Sequence, residues 1–162
     1  GEAPPSEIYM TAAGLERLRK ENDKILHEDM PANAAEIQRA REFGDLSENA
    51  EYHAAREKQS MLAARSTMLK TMIALARPIR PEIVRTDSVS VGSKVRLRDA
   101  AGAEVQYSLL GPHDVDVVRH VIIYQTPLGQ SLMGKKKGDT VTLELMGDTH
   151  GYTVLDIENG IV

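Results

Sequence analysis

Between Thr11 and Ala76 the chain is rich in helix formers and carries no cluster of turn residues except at Gly44. A single turn signal in so long a helical tract leaves few arrangements open. Two helices of about 30 residues, each roughly 45 Å long, can cover each other's apolar stripes only by folding back antiparallel. Leu15, Leu18, Asn22 and Ile25 follow a three-and-four spacing, and Met30, Ala34, Ile37 and Phe43 continue the stripe imperfectly. After Gly44, residues Ala55, Leu62, Leu69 and Ala76 recur at heptad spacing, with Met72 and Ile73 between them. That is the seam of helices packed as a coiled coil. Pro31 is expected to kink the first helix or mark a local break. Gly44 suits the end of that helix, and Asp45 suits the N-cap of the next.

The segment ARPIRPEIV ends the helical pattern at Pro78 and Pro81. This places an all-α antiparallel coiled-coil hairpin over residues 8–77 and a second domain over 78–162. Beyond the boundary the period becomes that of strands. Val95 and Leu97 alternate with Lys94, Arg96 and Arg98, and Val105, Tyr107 and Leu109 alternate with polar neighbours. Val121 to Tyr124 is a short buried-strand candidate, and QTPLGQSLMG reads as a turn with one short helix. Thr140 to Leu145 and Tyr152 to Ile157 alternate again, with turns at Gly138-Asp139 and Gly147-Asp148. A small, mostly antiparallel α+β unit follows.

Composition removes several classes of function. Residues 1–77 hold 11 basic and 13 acidic side chains and residues 78–162 hold 9 and 11, so neither half offers the basic surface that binds nucleic acid through bulk charge. Without cysteine there is no disulfide framework, thiolate chemistry or Cys-based zinc site. No apolar run approaches membrane-spanning length, and the segment GEAPPSEIYM has no signal-peptide core. A cytoplasmic protein with no membrane partner is expected.

The glycine is followed by GDLSENAEYHAAREKQ, which crowds Asp45, Glu48 and Glu51 together. Asp-x-x-Glu at a helix start is a capping box, yet a cap at the end of a hairpin also presents its carboxylates. Mg²⁺ wants near-octahedral oxygen coordination, and a convex tip can neither complete it nor exclude water. Metal chemistry at this tip would therefore act in trans. Arg41 precedes Asp45 at the spacing of a helical ion pair; together with Arg56 it could equally hold a phosphate. Asn49, Tyr52 and His53 fall on the first turns of the second helix, where Tyr52 either packs at the seam or stacks on a base. GQSLMGKK nearly spells a phosphate-binding loop, but Lys136 stands where Ser or Thr would hold Mg²⁺, and no βαβ pattern surrounds it. His27, His53, His113, His120 and His150 lack metal-ligand spacing. No nucleophile–base pairing is visible, so no small-molecule substrate is expected.

YMTAAGLERLRKE, GDLSENAEYHAAREKQ and YQTPLGQSLMGKKKGDTV occur in that order over about residues 8 to 158. The three segments together resemble the bacterial Gre transcript cleavage factors, of the GreA type. The resemblance implies an N-terminal coiled coil that enters the secondary channel of bacterial RNA polymerase and a C-terminal FKBP-like domain that grips the channel rim. Asp45 and Glu48 match the tip acids, which help hold a second Mg²⁺ shared with the polymerase; the protein alone would bind no cofactor. Arg41 and Arg56 match positions that contact the extruded 3′ end of the nascent RNA, Asn49 and Tyr52 support the tip, and Thr126, Pro127 and Leu128 match the docking segment. Thr126 stands where Ser is more usual. The expected function is stimulation of the polymerase's own cleavage of backtracked RNA, by an accessory factor and not an enzyme. The alternative is a secondary-channel binder that regulates without cleavage. Prolyl isomerase activity is not expected, because the second domain has neither Phe nor Trp.

Overall fold

The computed structural model describes residues 7–45, 49–116 and 120–161. They divide into two compact units, Glu16–Leu75 and the chain on either side of it.

The first unit is an antiparallel helical hairpin. Its incoming arm consists of α1 (Ala12–Lys24), one π-helical turn (Ile25–Asp29) and α2 (Met30–Arg41), and its returning arm is α3 (Ala50–Leu75). The π turn is the local consequence of Pro31. A proline has no N–H to donate and its ring crowds the carbonyl four residues back. The chain responds by slipping the bond pattern one residue, so that the Met30 N–H donates to the Ile25 carbonyl. Lys24, Asp29 and Met30 all keep right-handed helical angles. The proline therefore sits in a bulged helix that continues through it.

Polar bonds set the register of the two arms. The Glu21 carboxylate accepts from Arg65 Nε at 2.7 Å and Nη2 at 3.0 Å. Ser66 Oγ donates to Asn22 Oδ1 at 2.7 Å, and Asn33 Nδ2 donates to the Ala55 carbonyl at 3.0 Å. From the adjacent pairs Glu21–Arg65 and Asn22–Ser66 to Asn33–Ala55, one partner advances along the chain while the other retreats, as an antiparallel pair requires. The apolar seam is close to the expected one: Leu18, Ile25, Ile37, Ala55 and Leu69 are buried. It departs at two places. Asn33 is buried, at 1% exposure, where Ala34 was expected and is exposed. Phe43 points outward at 76% exposure. The slipped turn before Pro31 shifts the phase of the stripe, and the buried amide is tolerated because it is hydrogen-bonded.

The second unit is an α+β domain. Its sheet has the order β5-β4-β3-β7-β6, built from β3 (Ser93–Asp99), β4 (Glu104–Leu110), β5 (Val121–Ile123), β6 (Thr140–Leu145) and β7 (Asp148–Asn159). All neighbours are antiparallel except β4 and β5. β7 bends across two partners, pairing with β6 through its first half and β3 through its second, with a register shift opposite Arg96/Leu97. Such a bulge bends the bulged strand and sharpens its twist. Val95, Leu97, Leu109, Ile122, Val141, Leu143, Val154 and Ile157 form the core, closed by Leu132 of the short helix α4 (Pro127–Leu132).

A feature with no sequence signature joins this unit. β1 (Ile8–Met10) pairs in parallel with β2 (Ala76–Pro78), and the Tyr9 N–H donates to the Tyr124 hydroxyl at 3.0 Å.

Candidate functional site

The closed end of the hairpin is built from backbone geometry first. At the end of α2 the Glu42 N–H donates to Arg39 O and the Phe43 N–H to Ala40 O, both at 3.2 Å, tightening the last turn. Gly44 follows at φ 113° with nothing within 4 Å of where a Cβ would stand. Its glycine is therefore required by the backbone angle and not by crowding. Asp45 comes next and is exposed; Glu48 lies outside the described residues.

The residue that starts α3 is Asn49, not Asp45. Asn49 Oδ1 accepts from the Tyr52 N–H at 3.0 Å, and its carbonyl accepts from the His53 N–H at 3.1 Å, which together define an N-cap. Its Nδ2 donates to the Ala40 carbonyl of α2 at 2.7 Å. One amide thus satisfies an orphan donor of α3 and adds a second bond to the Ala40 carbonyl in the last turn of α2. The N-cap of α3, expected at Asp45, is Asn49, because the helix begins at Ala50. Asn49→Ala is expected to destabilise the hairpin by about 2 kcal/mol, the cap and a second hydrogen bond together, seen as a lower urea midpoint of the 222 nm helical signal. An unchanged midpoint would contradict the double role.

Tyr52 gathers the cations. It is half-buried, and the guanidinium carbons of Arg41 and Arg56 each lie 5.9 Å from its ring centre. Arg56 Nη1 also donates to the Tyr52 hydroxyl at 3.1 Å. The Arg41 guanidinium, and next that of Arg56, hold that hydroxyl below the ordinary phenol range. His53 packs edge-on against the ring at 5.7 Å. Beside the readings offered for Tyr52, the structure gives it a further part: it is a platform for two arginines from opposite arms. Both guanidiniums are gathered at one ring, and a guanidinium is a chemically suitable partner for a phosphate.

Thr126, Pro127 and Leu128 lie in the other unit. Thr126 caps α4: its Oγ1 accepts from the Gly129 N–H at 3.1 Å and donates to the Ile123 carbonyl at 2.7 Å. Pro127 takes the first helical position, where its missing N–H costs nothing. Leu128 packs on the core. With Ser131, Thr142, Glu144 and Thr149 the three line an open groove of about 470 Å³. Threonine supplies the cap as serine would. Among the described residues, no helix is long and apolar enough to cross a membrane.

These features define a helical-hairpin protein carrying a polar, arginine-flanked tip on one unit and a small α+β domain as the other. Comparison with known proteins gives the family. The profile described as "Transcription elongation factor, N-terminal" matches residues 8–77, and "Transcription elongation factor, GreA/GreB, C-term" matches residues 84–159. The transcription elongation factor GreA of Thermodesulfovibrio yellowstonii is 40% identical over 151 residues, covering 93% of this chain and 96% of its own. That of Acidiphilium cryptum is 40% identical over 152 residues, covering 93% and 97%. Among solved structures, GreA factor homolog 1 (Gfh1) of Thermus thermophilus aligns with a TM-score of 0.43 at 22% identity, over 94% of this chain and 99% of that one. The chain belongs to the GreA/GreB family of transcription elongation factors.

Proposed function

We propose that the hairpin enters the secondary channel of bacterial RNA polymerase and stimulates the polymerase's own cleavage of backtracked RNA. The observation that carries this reading is the division of labour at the closed end. Asn49 caps α3 and ties it to α2, Asp45 is exposed at the same closed end of the hairpin, and Tyr52 gathers Arg41 and Arg56 there.

Carboxylate oxygens are the donors Mg²⁺ prefers. Asp45 would hold the ion together with Glu48, and the polymerase would complete its ligands. A second Mg²⁺ clamped there supplies the charge stabilisation of a two-metal displacement at phosphorus. The chain's own part is positional. Asn49 fixes the turn against both arms, and Arg41 and Arg56 bind a phosphate of the extruded 3′ segment. The residues around Thr126, Pro127 and Leu128 dock the second unit on the polymerase. On this reading the protein is an accessory factor that works in trans, not an enzyme in its own right.

The test uses purified backtracked elongation complexes with RNA labelled at its 3′ end, and polymerase binding measured in parallel. The factor is expected to release short 3′ fragments faster than the polymerase does alone. Binding without fragments would reject cleavage and leave a regulator of the channel. Failure to bind would reject the partner.

A further inference from the structure

The chain's one phenylalanine stands at the closed end of the hairpin. Phe43 is 76% exposed, although the stripe of α2 would turn it inward. Its backbone is nevertheless pinned. The Phe43 N–H donates to the Ala40 carbonyl at 3.2 Å, and that carbonyl also accepts from Asn49 Nδ2 at 2.7 Å. The ring is thus mounted on the junction that joins the arms, immediately before Gly44 and Asp45. A large apolar side chain held in water gives up the stabilisation of burial, and one held on a fixed backbone is presented to something.

The neighbourhood says what that is. Single-stranded nucleic acid is recognised by aromatic faces that stack on bases and by cations that take the phosphates. Arg41 and Arg56 supply the cations, and each lies 5.9 Å from the centre of the Tyr52 ring, where it competes with a base for that ring. Phe43 offers the tip a large exposed aromatic ring outside that group. We propose that Phe43 stacks on an unpaired base of the extruded RNA and so sets the position of the strand relative to Asp45. This rests on the polymerase reading above and adds a substrate-positioning residue to it.

The experiment places 2-aminopurine, whose fluorescence is quenched by stacking, at each position of the extruded RNA in turn. Native protein, Phe43→Ala, Phe43→Leu and Phe43→Tyr are compared for quenching, cleavage rate and polymerase binding. Native protein and Phe43→Tyr are expected to quench one position and to cleave alike. Phe43→Ala and Phe43→Leu should lose that quench and cleave about tenfold more slowly, the effect of losing one stacked base, with polymerase binding and melting temperature unchanged. Phe43→Leu behaving as native in both readouts would overturn the proposal in favour of an aliphatic contact with the polymerase. So would Phe43→Ala cleaving and quenching as native. Native protein that quenches through Phe43 without cleaving would remove the cleavage reading and leave the stacking in place. Native protein that does not bind would remove both.

Discussion

Asp45→Asn should bind the polymerase, melt as the native protein does and lose at least about 100-fold in factor-stimulated cleavage, the effect of removing about 3 kcal/mol of transition-state stabilisation. The substitution keeps the shape and an acceptor oxygen but removes the charge that holds a divalent ion. Folding should not suffer, because the α3 cap belongs to Asn49 and asparagine keeps the shape and an acceptor oxygen at this exposed position. Titrating Mg²⁺ sharpens the comparison. If the acid binds the ion, part of the lost rate should return as Mg²⁺ rises, because mass action compensates a weakened site. A variant that cleaves as native would reduce Asp45 to a turn residue. A variant that fails to bind would place Asp45 in the docking interface instead.

The hairpin was legible because heptad spacing from Ala55 to Leu69 and a single turn signal at Gly44 leave one economical way to bury two stripes. The strands were legible because alternation changed at Pro78, and β6 runs from Thr140 to Leu145 as the pattern implies. What stayed hidden was the choice among equivalent local signals. Asp45 and Asn49 both satisfy the N-cap rule, and where the helix begins, at Ala50, decides between them. Asn49 followed by Ala50-Glu51, a good helix start with an acid in the first turn, was the available clue. Pro31 announced a disturbance, but whether a helix kinks or slips by one bond depends on the arm packed against it. The β1–β2 pairing has strands of only three residues, too short for any period to show. Tyr52 could be placed on the first turn of α3, yet its role as an arginine platform depends on Arg41 arriving from the other arm.

The most consequential contact invisible in the sequence is at Asp114, and its removal should be the most damaging single change in the sheet unit. Asp114 is only 4% exposed, and its carboxylate accepts from the Thr11 N–H at 3.0 and 3.1 Å, Thr11 Oγ1 at 2.6 Å and the Gly111 N–H at 3.0 Å. Thr11 is in turn the N-cap of α1, its Oγ1 accepting from the Gly14 N–H at 3.0 Å. The carboxylate therefore sits at a helix N-terminus, where the dipole favours negative charge. Space is equally committed, since a Cβ on Gly111 would strike the Tyr9 carbonyl oxygen and one on Gly14 would strike the carboxylate. Asp114→Ala leaves two buried N–H groups without an acceptor, at about 1–3 kcal/mol each, so a loss of about 4 kcal/mol is expected. Asp114→Asn keeps one acceptor oxygen but turns an amide donor toward donors, and should fall between Ala and native. Four of the five tyrosines, Tyr9, Tyr107, Tyr124 and Tyr152, lie in the sheet unit. Urea unfolding followed by tyrosine fluorescence should therefore report the loss directly, with the 222 nm signal following the hairpin separately, as two units need not unfold together. A fluorescence midpoint for Asp114→Ala that matches the native protein would show that the carboxylate contributes nothing net: its desolvation would then cancel what its hydrogen bonds supply.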